Sequence, residues 1–293
     1  MSKKSPIFIS LFLLGMIYNY SYTQELNLAP DNLVTKTRIM EEQHTTIFVH
    51  GTLFALSWLV QKFDCPLGLT PAIAQGDKYV LGKIPYILNS AAPLLFPLDK
   101  FYLWGWNGEL SFEARREASH DLYHSIKPLA SPKRVIGQSH GCNVILNLAK
   151  IAHDHRDKTF AIDQLILLAG PVQQANSHLI TSPIFKKVFS LYSSEDLVQI
   201  LDPQALYEET RQLKKKTSFF SEKLFKPAPN LVQAEIVIND KSPSHYDFIT
   251  AKFIKHLPDV IELLDSVTKN STDYEKFHYK VNIPLIGKPH LVH

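Results

Sequence analysis

The chain predicts an α/β fold, with a mostly parallel central sheet flanked by helices on both faces. Three observations carry that prediction. Short apolar runs rich in Val, Ile, Leu, Phe and Tyr recur along the chain and end in small or polar residues, as buried strands do. Between them lie stretches whose apolar residues follow helical spacing. Strands that alternate with helices need crossover connections, which make the strands parallel and cover both sheet faces.

Taken in order, the first 23 residues stand apart. Lys3 and Lys4 precede the apolar run Ile7–Tyr18, which is too short to span a bilayer comfortably and has the profile of a signal peptide. Ser21 and Thr23 are the small residues a peptidase would read if it cut before Gln24; without an A-x-A, an uncleaved N-terminal anchor is the alternative. Export is expected in both cases, with a secreted or periplasmic product in one and membrane association through the N-terminal segment in the other. The remainder, 24–293, has the length of one domain, and 45% hydrophobic with 20% charged residues is ordinary globular composition. Loss of Lys3 and Lys4 with the leader takes the formal charge from +3 to +1, leaving no basic surplus for nucleic acid. Cys65 and Cys142 are too few for a disulfide scaffold and are expected as buried free thiols.

The strand runs are TTIFVHG (45–51), KFYLWGWNG (100–108), KRVIGQS (133–139), DQLILLAGP (163–171), KVFSLYSSED (187–196) and AEIVIND (234–240). Helical patterns intervene at 111–126, where Ala114, Ala118, Leu122 and Ile126 share a face, and at 142–153, which is apolar nearly all round. Two longer segments interrupt the alternation. Residues 53–99 open with LFALSWLVQKFD and suit a substrate-covering lid or flap as well as a loop packed on the core. Residues 199–233 form a second insertion, a charged helical pattern followed by Phe219, Phe220 and Phe225, read as a solvated helix pinned by aromatics.

The chemistry-bearing motif is VIGQSHGCNV (135–144), in which Gly137 and Gly141 bracket Ser139 directly after a strand. Glycines on both sides relieve crowding in a sharp strand-to-helix turn that exposes a serine hydroxyl above the sheet edge. A serine hydroxyl needs a base, and the base needs an orienting acid. His245, in the loop INDKSPSHYDFIT (238–250), is the candidate base between the last strand and a terminal helix. The acid is sought at the end of FSLYSSEDLV (189–198), where Glu195 and Asp196 both stand. HDH at 153–155 reads as a polar helix end.

With GQSHGCNV in that context, the chain resembles the α/β-hydrolase superfamily over 45–265, close to the G-H-S-H-G-G-N form of lipase-like and esterase-like members. Gln138 and Cys142 depart from that form, in ways expected not to touch the chemistry. The resemblance implies the order Ser139, Asp196, His245, with Asp196 preferred because Leu197 and Val198 follow it, and Glu195 the rival. It further implies oxyanion N–H donors from His140 and from Thr52, or less favourably Leu53, after the strand ending His50-Gly51. Leu53, Trp104 and Trp106 would line the substrate pocket, although core packing explains the two tryptophans equally well.

No H-E-x-x-H, paired C-x-x-C, EF-hand pattern or phosphate-cradling glycine loop is present in the sequence, so no metal or other cofactor is expected. The reading is an exported serine hydrolase acting on small-molecule or lipid carboxylic esters. The alternatives are an acyltransferase or amidase using the same three residues, or a non-catalytic membrane-tethered binding module on the same fold.

Overall fold

A computed structural model gives the fold and describes residues 43–52, 65–77, 80–204, 218–269 and 273–292. The expected leader, LFALSWLVQKFD with Leu53, and the charged pattern at 205–217 lie outside the described residues. Among the described residues no helix is long and apolar enough to cross a membrane.

One nine-stranded sheet organises these residues. Its strands are β1 (Thr45–Val49), β2 (Gly68–Pro71), β3 (Phe101–Gly105), β4 (Lys133–Gln138), β5 (Gln164–Leu168), β6 (Val188–Tyr192), β7 (Leu231–Ile238), β8 (His278–Ile283) and β9 (His290–Leu291). They lie in the order β2-β3-β1-β4-β5-β6-β7-β8-β9. All neighbours pair in parallel except β2 with β3 and β8 with β9, at the two edges.

Residue alternation along the strands divides the core in two. Ile47, Val49, Val135, Leu165 and Leu167 face one side, where they pack with helices α2 (Phe112–Ile126) and α3 (His140–Asp154). Phe48, Ile136, Ile166 and Leu168 face the other, packing with α1 (Val80–Ala91) and α4 (Leu257–Thr268). Ser111 starts α2 by accepting a hydrogen bond from Ala114 N at 3.0 Å, and the predicted face of Ala114, Ala118, Leu122 and Ile126 is buried. Helix α3 is buried almost all round because it lies between the sheet and α2.

Three strands were not foreseen. β2 reads GLTP, a short edge strand holding a glycine and a proline, inside the segment expected as a flap. β8, HYKVNI, has its first half interrupted by polar, part-exposed residues, so it lacks the apolar run of a central strand. β7 is therefore not the last strand, and the His245 loop leads through α4 to two further strands, β8 and the two-residue edge strand β9. Cys65 and Cys142 are both buried, as expected.

The topology fixes where a site belongs. From β1 the chain passes to the edge strand β2 and comes back to β3 beside β1, then crosses to β4 on the other side of β1 and builds outward in the opposite direction. The crevice at the C-terminal ends of β1 and β4 is thus the switch point of the sheet, where open α/β sheets bind ligands. There the two backbones touch: a Cβ on Gly141 would lie 2.5 Å from the carbonyl oxygens of both Val49 and His50. Backbone cannot yield as a side chain can. We expect Gly141→Ala to lower unfolding free energy by about 2 kcal/mol or more. Gly68→Ala, where a Cβ meets nothing within 4 Å and only the positive φ is strained, should cost about 1 kcal/mol. Urea denaturation of both variants checks the ranking, and equal losses would contradict it.

Candidate active site

Ser139 sits on the turn between β4 and α3 with φ 52° and ψ −130°. Serine at a helix N-cap ordinarily accepts a hydrogen bond from the first turn; Ser139 does not, because this backbone conformation turns its side chain away from the helix. Such strain costs about 1–3 kcal/mol and persists only where surrounding contacts enforce it. Two contacts do so. Gly137 lies under α3, where a Cβ would reach 2.6 Å from Ile145 Cδ1, and Gly51 lies against the serine, where a Cβ would reach 2.6 Å from Ser139 Cβ.

The loops after β6 and β7 bring Asp196 and His245 to the same edge. Asp196 Oδ2 accepts from His245 Nδ1 at 2.7 Å, with both side chains almost fully buried. Asp196 is held in turn by Gln199, whose N–H donates to Asp196 Oδ1 at 3.2 Å and whose side chain donates to the Gly170 carbonyl at 2.8 Å. Its rival Glu195 is exposed. Asp247 accepts from both the N–H and the hydroxyl of Ser244 at 2.8 Å, which folds the loop that carries His245.

The other ring nitrogen of His245 meets Gln138, the residue before the serine. Gln138 Nε2 lies 3.2 Å from His245 Nε2, and Gln138 Oε1 accepts from Gly51 N at 3.1 Å. The Gly51 N–H can only donate, so the amide oxygen must face it and the NH₂ must face the imidazole. His245 Nε2 is then an acceptor, and the ring proton sits on Nδ1 toward Asp196. That is the tautomer a base needs. The expectation that Gln138 would leave the chemistry untouched is therefore corrected: its amide occupies the lone pair that would take the Ser139 proton. The Ser139 hydroxyl itself closes no hydrogen bond among the described residues.

The N–H groups of His140 and Thr52 also close none among the described residues, and Thr52 Oγ1 is buried without a partner there. Two further histidines brace this region. His50 is buried, with Nδ1 2.6 Å from Gly51 O and Nε2 accepting from Trp106 N at 3.1 Å; burial pushes its pKa down to about 4. His140 is pushed down to about 3 by burial and then by the Arg115 guanidinium, whose Nη1 lies 3.3 Å from His140 Nδ1. Its Nε2 faces Asp202 Oδ1 at 3.7 Å, and Asp202 also accepts from Gln173 and from Ser221 Oγ. This buried polar array fastens the described parts of the second insertion beside the serine turn.

Trp104 and Trp106 are 2% and 4% exposed and belong to the core facing α2 and α3, so packing accounts for them. Trp106 Nε1 also donates to the His50 carbonyl at 2.8 Å, which ties the end of β3 to the end of β1. Sequence reasoning missed Gln138 and His50 as positioning groups; the signal available was a buried-strand end with a polar side chain, which is rare without a partner. It also passed over Arg115, a charged residue on the predicted buried face of α2.

No family model matches the chain, and no curated protein matches it. Among solved structures, the hyperthermophilic esterase from the archaeon Pyrobaculum calidifontis is 12% identical, over 85% of this chain and 70% of that one, with a TM-score of 0.34. A monoclinic form of the Pyrobaculum calidifontis esterase is 13% identical over the same shares, also with a TM-score of 0.34. The Fe-lacking apo form of ESTFA is 11% identical over 98% of this chain and 84% of that one, with a TM-score of 0.32. The fold itself is α/β, a mostly parallel nine-stranded sheet flanked by helices. Likenesses this distant assign no residue, and the chemistry rests on the side chains described.

Two predictions follow from the site's electrostatics. His50 and His140 titrate lower in the folded chain than in the unfolded one, so the unfolded chain takes up protons that the fold refuses. Their contribution is complete above about pH 6.5 and is lost as pH falls toward 4, by on the order of 5 kcal/mol for the pair at pH 4.5. Denaturant titrations at pH 7 and 4.5 measure this, and His50→Gln should remove about half of the difference; equal stability at the two pH values would refute the assignment. Gln138→Glu places a carboxylate where the amide NH₂ faced His245, favouring a protonated Nε2. Turnover of an activated ester at pH 7 should fall about tenfold and recover at higher pH, whereas a pH-independent loss would point to a steric effect alone.

Proposed function

We propose that the protein is a serine hydrolase that cleaves carboxylic esters through Ser139, His245 and Asp196. The observation that carries this reading is the buried Asp196–His245 pair, whose second ring nitrogen meets Gln138, the residue before the turn where Ser139 is held in a strained, uncapped conformation. A structural serine would gain by capping α3, and a structural histidine would not need a buried carboxylate behind it.

In the reaction, the Ser139 hydroxyl replaces the Gln138 amide as the donor to His245 Nε2 when the ester docks at the switch point. Ser139 Oγ attacks the carbonyl carbon and gives its proton to His245 Nε2. Asp196 stabilises the imidazolium and keeps its orientation, and the N–H groups of Thr52 and His140 donate to the oxyanion. Collapse of the tetrahedral intermediate breaks the bond to the alcohol oxygen, which takes the proton from Nε2. Water then attacks the acyl-serine, again losing a proton to His245, and the acid leaves as Ser139 regains its hydrogen.

Labelling by a fluorophosphonate probe tests the reading. Wild-type protein should label at neutral pH and hydrolyse p-nitrophenyl esters, with a panel from acetate to palmitate giving the acyl length. Ser139→Ala should not label, and Asp196→Asn should lose about 10⁴-fold in kcat, with circular dichroism confirming that both are folded. A folded wild-type protein that neither labels nor turns over any ester would sink the proposal.

A further inference from the structure

Away from the serine turn, α2 and α3 bring three histidines together. His120 and His124 stand one turn apart on α2, and their Nε2 atoms are 3.3 Å apart. His155, the C-cap residue of α3, completes the cluster: one ring nitrogen from each of the three lies within 4.8 Å of the others, and all three side chains are exposed. We propose that His120, His124 and His155 form a binding site for a divalent transition-metal ion that favours imidazole, of the zinc, nickel or copper class.

The spacing supports a metal over a chance grouping. Tetrahedral zinc with Zn–N bonds of about 2.0–2.1 Å sets its ligand nitrogens about 3.3–3.4 Å apart. The His120–His124 pair already has that separation, and a side-chain movement of about 1.5 Å brings in the third. Three imidazoles on an exposed surface leave a position for water, and a donor set of nitrogen alone selects against magnesium and calcium.

The cluster is also held in place without an ion. The His155 ring stacks on Tyr123 with centroids 5.2 Å apart and planes 13° from parallel. Tyr123 is itself 1% exposed and fixed by its hydroxyl, which donates to Asp157 Oδ2 at 2.6 Å, while Lys127 pairs with the same oxygen at 2.7 Å. Asp121 places a carboxylate oxygen 3.7 Å from His120 Nδ1, the nitrogen that faces away from the cluster. A carboxylate behind a liganding imidazole is the usual outer support of such sites. His124 lies in the last turn of α2 and His155 caps α3, so the negative ends of two helix dipoles face the ion together.

The site is separate from the proposed chemistry. Ser139 precedes α3 and His155 follows it, and fifteen helical residues span about 22 Å. The ion would join two helices and take no part in ester cleavage. The chain's linear pattern did not reveal it because the third ligand comes from the next helix: an H-x-x-x-H pair and HDH at 153–155 are unremarkable apart.

Isothermal titration of the full chain, carrying no polyhistidine tag, with Zn²⁺ and separately Ni²⁺ tests the proposal. We expect one ion per chain, and a rise in Tm of at least about 5 °C with the ion at a hundredfold its Kd. His124→Ala and His155→Ala should each weaken binding at least tenfold, while His153→Ala, beside the cluster and outside it, should bind as wild type does. All four positions are exposed, and circular dichroism verifies folding. Unchanged binding in the His124 and His155 variants, or wild-type binding no tighter than that of the triple alanine variant, would overturn the site.

Discussion

The site depends on one steric contact: the end of β1 lies directly against the turn that follows β4. Gly141 fits beneath the Val49 and His50 carbonyls, and Gly51 fits against the Ser139 side chain, with no room for a Cβ at either place. Pressing two backbones together there is what confines Ser139 to φ 52° and ψ −130°. The strain is offset by burial, since α3 packs on the sheet with nearly every residue and cannot retreat to relieve it. The same contact sets Gly51 N within 3.1 Å of the Gln138 amide oxygen. Loosening it would disperse all of these groups at once.

Around that contact the fold uses three buried histidines in three ways, and their partners decide which. His50 lies between a carbonyl and a backbone N–H, with no charge to compensate an added proton, and burial keeps it neutral. His140 lies beside a guanidinium that opposes protonation more than Asp202, at 3.7 Å, favours it. Only His245 has a carboxylate at hydrogen-bond distance on one nitrogen and a displaceable amide on the other. Divergent environments for like residues are how one site separates structural from reactive groups.

Much of this was legible in the sequence because its signals were local. Strands β1, β3, β4, β5, β6 and β7 were runs of adjacent apolar residues, and the serine turn was five residues long. Asp196 and His245 were proposed from the chain order that the resemblance implies, and parallel strands do deliver their C-terminal loops to one edge. What escaped notice depended on contacts distant in the chain. Gln138 gains its significance from Gly51 and His245, which no spacing rule links to it. Trp104 and Trp106 could not be divided between pocket and core, because an indole beside a sheet edge has the same sequence signature in both places. β2 went unseen because edge strands carry the prolines and glycines that otherwise mark loops, and β8, next to the two-residue edge strand β9, because its first half is polar and part-exposed.

The pairing of α2 with α3 gives the molecule a polarity that runs beyond the site. Arg115 near the start of α2 meets His140 at the start of α3, and Tyr123 and His124 near the end of α2 meet His155 at the end of α3. The two helices therefore run parallel, as right-handed crossovers on one face of a parallel sheet require. Parallel neighbours align their macrodipoles, which repel, so each end gains from a charge of opposite sign. At the N-terminal end of α3, the His140 N–H closes no hydrogen bond among the described residues, which suits the oxyanion role proposed for it. At the C-terminal end, imidazoles gather where a cation would be favoured. One packing decision, forced by topology, thus prepares one end of the helix pair for developing negative charge and the other for a metal ion.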